Sequence, residues 1–140
     1  MDAIITVSGN LGADVEFHQG DGFSKASFRI ACTPRLRRGQ DWVDGHTTWL
    51  NIECSNRIAD NVRDSLTKGD PVVVTGRLRT RVWESQGTKH ERMVIEASSI
   101  GHDLSRGTTA FTRIAWARQP EEADPGRDDG DVEPSSELAG

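Results

Sequence analysis

Four side chains between Asp70 and Ser85 have the types and spacing to act together: Arg77, Arg79, Arg81 and Trp83, each two residues from the next. A strand puts alternate side chains on one face, so these four share a face while Val72, Val74, Leu78 and Val82 share the other. A row of guanidinium groups repels itself unless a polyanion neutralises it, and a neighbouring indole offers a flat surface to an unstacked base. The pattern predicts a platform for single-stranded nucleic acid. The plainer reading is an exposed strand kept soluble by its arginines, and a bulge at Gly76 would shift the parity.

Other residues extend the same chemistry. Lys25 and Arg29 fall on the polar face of the alternating run Phe23 to Cys32, opposite Ala26, Phe28, Ile30 and Cys32. The stretch Arg35-Leu36-Arg37-Arg38-Gly39-Gln40-Asp41-Trp42-Val43-Asp44-Gly45 is too polar to be core. Its Arg35, Arg37, Arg38 and Trp42 suit a loop that folds over a polyanion, the alternative being a solvated hairpin tip. In Thr48 to Cys54, Leu50, Ile52 and Cys54 share the core face, which puts Trp49, Asn51 and Glu53 outside. Trp49 is thus a second outward-facing indole, although large indoles on strands are commonly part-buried packing.

Catalysis is not indicated. His18, His46, His90 and His102 are scattered with no metal-ligand spacing, and neither paired carboxylates, a nucleophile elbow nor a phosphate loop is present. No cofactor or metal is expected. Cys32 and Cys54 are too few for a disulfide framework and form no CxxC pair. They read as packing thiols, with a pairing inside the domain or across a subunit contact as the sharper alternative.

The elements that must position these residues are mostly strands. Ala3 to Ser8 is a β-branched run closed by Gly9-Asn10, with a continuation at Ala13 to Phe17, and Gly20-Asp21-Gly22 is a turn. Asn56 to Leu66 changes to helical period through Ile58, Ala59, Val62 and Leu66, with Ser55 or Asn56 as N-cap and Gly69 beyond the end. Ser85 to Lys89 is a turn, and Arg92 to Ile100 a last strand with Met93 and Ile95 opposed to Val94. Five strand regions with one helix between the third and fourth predict an all-β oligonucleotide-binding (OB) barrel. It spans residues 1–104, followed by a short extension at 105–117, which packs as an extra element or serves a subunit contact, and an acidic, disordered tail at 118–140.

Charge agrees once it is divided along the chain. The net charge is −5, but residues 118–140 hold eight acids against Arg118 and Arg127, leaving 15 basic and 14 acidic groups in residues 1–117. A balanced domain binds a polyanion if its positive groups share a face. No apolar run approaches the roughly 18 residues of a membrane span, and no signal peptide leads the chain, so a soluble, cytoplasmic protein is expected.

The ordered series Gly9-Asn10-Leu11, Ala31-Cys32-Thr33-Pro34-Arg35, Trp49-Leu50-Asn51-Ile52, Ala59-Asp60-Asn61-Val62 to Leu66-Thr67-Lys68-Gly69, and Val74-Thr75-Gly76-Arg77-Leu78-Arg79-Thr80-Arg81-Val82-Trp83 resembles bacterial single-stranded DNA-binding proteins, actinobacterial ones above all. The resemblance covers about residues 3–104. It implies a homotetramer of OB barrels around which single-stranded DNA wraps with little sequence preference, protecting it near the nucleoid during replication, recombination and repair. Trp49 and Trp83 match positions whose aromatics stack on bases. Ser55 stands where many relatives carry a stacking phenylalanine, Trp42 stands in a shifted, arginine-rich loop, and Val15 replaces a usual proline.

Housekeeping members of that family close on a proline and a phenylalanine that dock on repair and replication enzymes. This sequence ends Ser136-Glu137-Leu138-Ala139-Gly140, acidic without the aromatic anchor, which implies weak or absent recruitment of such enzymes and an accessory role. Two other functions fit the same residues: a single-stranded RNA-binding OB module, and an OB-fold protein-assembly module in which Trp83 and the arginines form a protein contact.

Overall fold

The computed structural model describes residues 1–115. Trp116 and the acidic 118–140 stretch lie outside them. The order of elements is β1 (Ala3–Leu11), β2 (Glu16–Gly20), β3 (Phe23–Cys32), β4 (Arg35–Arg38), β5 (Asp41–Asp44), β6 (Thr48–Ser55), α1 (Arg57–Ser65), β7 (Pro71–Ser85) and β8 (Thr88–His102). Neighbouring strands run β1-β7-β8-β6-β3-β2, and β1 also pairs with β3 through Asn10↔Ala31 and Leu11↔Ile30. That second pairing closes β1, β7, β8, β6 and β3 into a five-stranded barrel, as the strand count predicts, with β2 as a flap on β3. The polar Arg35–Gly45 stretch folds as a separate two-stranded ribbon, β4 with β5.

The barrel exists because each strand offers an apolar face to one centre. Ala26, Phe28 and Ile30 of β3, Ile52 and Cys54 of β6, Val72 and Val74 of β7, Ile95 of β8 and Leu11 of β1 form a single buried cluster. Helix α1 adds Ala59 and Val62, followed by Leu66, packed against β3 and β6. Its N-terminus departs from the expected cap: the Asn56 side chain does not cap α1, and Asn56 has φ 61°. Ser24 takes over the anchoring, its one hydroxyl proton shared between Asp60 Oδ1 at 2.8 Å and Asn56 O at 3.2 Å.

Strand β7 keeps strict alternation because the irregularity opposite it lies in β8. Thr75 pairs with Ser99 and Gly76 with Ala97, so Ser98 is the extra residue. A Cβ added at Gly76 would stand 2.2 Å from Glu96 O; only glycine lets the two strands close at the bulge. The inward set is therefore Val72, Val74, Gly76 and Leu78. Val82, expected in the core, is 54% exposed, because the β7–β8 hairpin runs out beyond the barrel. On β8, Val94 and Ile95 are both buried although they face opposite ways, and Met93 is 62% exposed. Residues 103–115 form no strand or helix. The barrel and its flanks make one compact unit, Met1–Thr109.

Candidate nucleic-acid interface

Registers place seven of the eleven predicted residues on one outer sheet face. Arg29 is opposite Asn51, Ala31 opposite Trp49, Glu53 opposite Glu96, Arg77 opposite Glu96, Arg81 opposite Arg92 and Trp83 opposite His90. Side chains directly opposite in a ladder share a face. Lys25, Arg29, Trp49, Arg77, Arg79, Arg81 and Trp83 thus line the outside of β3, β6 and β7, with β8 between the last two. Arg35, Arg37, Arg38 and Trp42 lie apart from this face, on the β4–β5 ribbon, where all eight strand residues are exposed.

The two indoles on the sheet are 48% (Trp49) and 44% (Trp83) exposed. Trp49 lies under the Arg29 guanidinium, 4.5 Å from ring centre to Cζ. Its Cζ3 edge rests on Gly12, where an added Cβ would come within 2.5 Å. Around it opens a cleft of about 210 Å³ whose walls include Gly12, Arg29, Asn51 and Arg92. Trp83 stacks on His90 with ring centres 5.4 Å apart and planes 21° from parallel, and Arg92 Cζ stands 5.9 Å from its centre. On the ribbon, Arg37 stands 5.8 Å over the Trp42 ring and Arg35 pairs with Asp44 at 3.2 Å.

Each indole therefore carries a guanidinium beside it. An aromatic face with a cation at its rim can hold a base by stacking and the adjoining phosphate by charge.

The arginine row of β7 is not the bare cationic stripe its sequence suggests. Arg77 and Arg79 reach Asp2 at 3.6 and 3.0 Å, Arg79 and Arg81 reach Glu96 at 3.3 and 2.5 Å, and Arg81 reaches Glu53 at 3.0 Å. Three carboxylates of the chain neutralise the row without a polyanion. Glu53, expected on the outside, is on the outer face but covered by this network, with Lys25 3.9 Å away. Hydrogen bonds from Arg81, then Arg79, hold the Glu96 carboxyl below its ordinary range. Glu96 and Glu53 in turn push the Arg81 guanidinium still higher. Arg81 and Arg92, like charges directly opposite, coexist because Arg81 turns to these acids while Arg92 turns to Trp83.

His90 and Arg92 belong to the site although the residue pattern alone did not single them out. The signal was the tight turn: Gln86 and Gly87 both have positive φ, 53° and 77°, and Ser85 pairs with Thr88. A two-residue turn of that kind sets the whole hairpin register, and counting back from it puts His90 against Trp83. Cys32 and Cys54 are both free thiols, which excludes the pairing within this domain, and burial pushes the Cys54 thiol up to about 11. Among the described residues no group of three His, Cys, Asp or Glu could hold a metal, and no helix is long and apolar enough to cross a membrane.

Comparison with known proteins gives this surface a family. Residues 3–103 match the model of the single-strand binding protein family. The single-stranded DNA-binding protein 2 of Streptomyces avermitilis is 40% identical over 114 residues, covering 80% of this chain and 72% of that protein. The single-stranded DNA-binding protein of Mycolicibacterium smegmatis is 40% identical over 118 residues, covering 81% and 72%. A solved structure, the small single-stranded DNA-binding protein from Streptomyces coelicolor, superposes with a TM-score of 0.68 at 36% identity over 76% of this chain and 99% of that one. A match running through the whole barrel, with actinobacterial relatives that share it in sequence and in backbone, makes this chain a member of the single-strand binding protein family.

Proposed function

We propose that this chain binds and protects single-stranded DNA without sequence specificity during replication, recombination and repair. The observation that carries the reading is the placement of Trp49 and Trp83 on one outer sheet face, each half-exposed and each beside an arginine, Arg29 and Arg92. Stacking accepts every base because every base has a π-face, and the guanidinium groups supply the salt-dependent phosphate contacts. Lys25 and the ribbon residues Arg35, Arg37, Arg38 and Trp42 extend the positive, aromatic path; Arg77, Arg79 and Arg81 contribute to the extent that DNA releases them from their acids. The reading includes a homotetramer and a place in the cytoplasm with the nucleoid.

The test is quenching of tryptophan fluorescence by oligothymidylate at two salt concentrations, with oligouridylate and duplex DNA as competitors. Strong quenching that weakens in salt and is poorly competed is expected. Absence of quenching, or equal competition by duplex, would sink the DNA reading in favour of protein assembly; equal competition by oligouridylate would move it to RNA. Light scattering during size-exclusion chromatography tests the tetramer, and a monomer mass would remove it.

A further inference from the structure

Glu96 holds two guanidinium groups, one on each carboxylate oxygen. Arg79 Nε donates to Oε1 at 3.3 Å, and Arg81 donates from its terminal nitrogen to Oε2 at 2.5 Å. Two acceptor oxygens facing two arginines is also what a phosphodiester presents with its non-bridging oxygens. Arg79 is also held by Asp2 at 3.0 Å, and the two acids that share Arg81 are unequal. Glu53, which takes two bonds from Arg81 at 3.3 and 3.0 Å, has a side chain only 12% exposed, whereas that of Glu96 is 36% exposed. Glu96 can turn to water more readily than Glu53, which cannot leave without burying an unpaired arginine face. The side chains of Arg79 and Arg81, 39% and 38% exposed, remain within reach of a strand from outside.

We propose that Glu96 is a built-in stand-in for phosphate: it occupies the guanidinium N–H groups of Arg79 and Arg81 that a phosphate of single-stranded DNA would take, so this carboxylate limits how tightly, and with how many ionic contacts, the chain binds. The proposal rests on the function given above and names a residue that sets its strength. Glu96 touches no DNA in this scheme; it is a positioning residue that acts through the two arginines. Glu53 keeps Arg81 anchored when Glu96 swings away, leaving other guanidinium N–H groups to take a phosphate.

The experiment measures binding of labelled oligothymidylate by anisotropy across a salt series, using the full chain and its Glu96→Gln and Glu96→Asp variants. Glutamine removes the competing charge; the shorter aspartate keeps a charge but spans fewer partners. Glu96→Gln should bind about three- to tenfold more tightly at low salt, and its log–log salt dependence should steepen by about 0.7 for each arginine released. Glu96→Asp should fall between the two, and decides the matter if the glutamine variant folds poorly. Unchanged slope and affinity in the variants would overturn the proposal, as would weaker binding, which would mean that Glu96 presents the arginines to DNA. If the unmodified chain itself ignores oligothymidylate, it is the function proposed above that has failed.

Discussion

The Arg29 guanidinium carbon stands 4.5 Å from the centre of the Trp49 ring, so the indole on β6 is paired with a cation supplied by the neighbouring strand β3. The ring's other support is the bare backbone of Gly12. On the DNA-binding reading, Trp49→Ala should cost about 1–3 kcal/mol of affinity for oligothymidylate, the range for one stacked base. Gly12→Ala should reduce fluorescence quenching, because its methyl group forces the ring to move. Anisotropy titration checks the first, and an unchanged affinity for Trp49→Ala would take that indole off the platform.

Trp83 differs in being stacked on His90 at the outer end of a hairpin. Its replacement by alanine should weaken oligothymidylate, oligocytidylate and oligoadenylate by the same factor, since stacking discriminates little among bases. Parallel titrations with the three homopolymers measure this. A loss confined to one base would show hydrogen-bonded readout at Trp83 instead.

Much of this site was legible in the residues themselves. The alternation of Phe23 to Cys32 and of Pro71 to Leu78 is that of strands with one wet face, and the cores they form follow it. What alternation cannot express is which strands become neighbours. The acids that neutralise Arg79 and Arg81 include two from 17 and 28 positions away in sequence, brought in by the β7–β8 hairpin and by the parallel β6–β8 pairing, and Asp2, brought to Arg79 by the β1–β7 pairing. Parity therefore placed the arginines on the right face but left their counter-charges unseen. Val82 failed for a related reason: alternation tells which way a side chain points, not whether any core remains at that height of the hairpin.

Gly76 offers a test of the barrel rather than of its surface. A β-carbon there would stand 2.2 Å from Glu96 O and 2.8 Å from Ala97 Cα, both backbone atoms that cannot swing aside. Gly76→Ala should destabilise the fold by about 1–3 kcal/mol, the usual cost of overpacking a filled site. Urea denaturation followed by circular dichroism measures it; an unchanged midpoint would mean that β7 and β8 are not joined closely at this bulge.

The two thiols should separate by reactivity. Thiolate is the reacting form, and burial holds Cys54 at about 11 and raises the less buried Cys32 as well. Iodoacetamide near neutral pH should modify Cys32 slowly in the folded protein and Cys54 only after denaturation. Mass spectrometry of timed digests reads this directly, and equal rates at both positions in the native state would contradict the burial of Cys54 inside the barrel.

Acid should loosen the junction between α1 and β7, and Asp70 gives the sign. Its carboxylate accepts the Thr67 N–H at 3.0 Å and lies 3.3 Å from His102 Nε2, and these contacts, the Thr67 bond foremost, hold its pKa below the ordinary value. A carboxyl whose pKa is depressed by folding adds stability above its unfolded pKa of about 3.9, and that contribution disappears as pH falls through the lower, folded value. Glu96 is depressed in the same direction by Arg81 and Arg79, so both lose their stabilising role together on acidification. Asp70→Asn should therefore melt below the unmodified protein at pH 6, and the gap should close as pH drops below about 4. Melting curves at a series of pH values test this. A gap that stays constant down to pH 3 would mean that the ionised Asp70 carboxylate contributes no more than a neutral amide of the same shape.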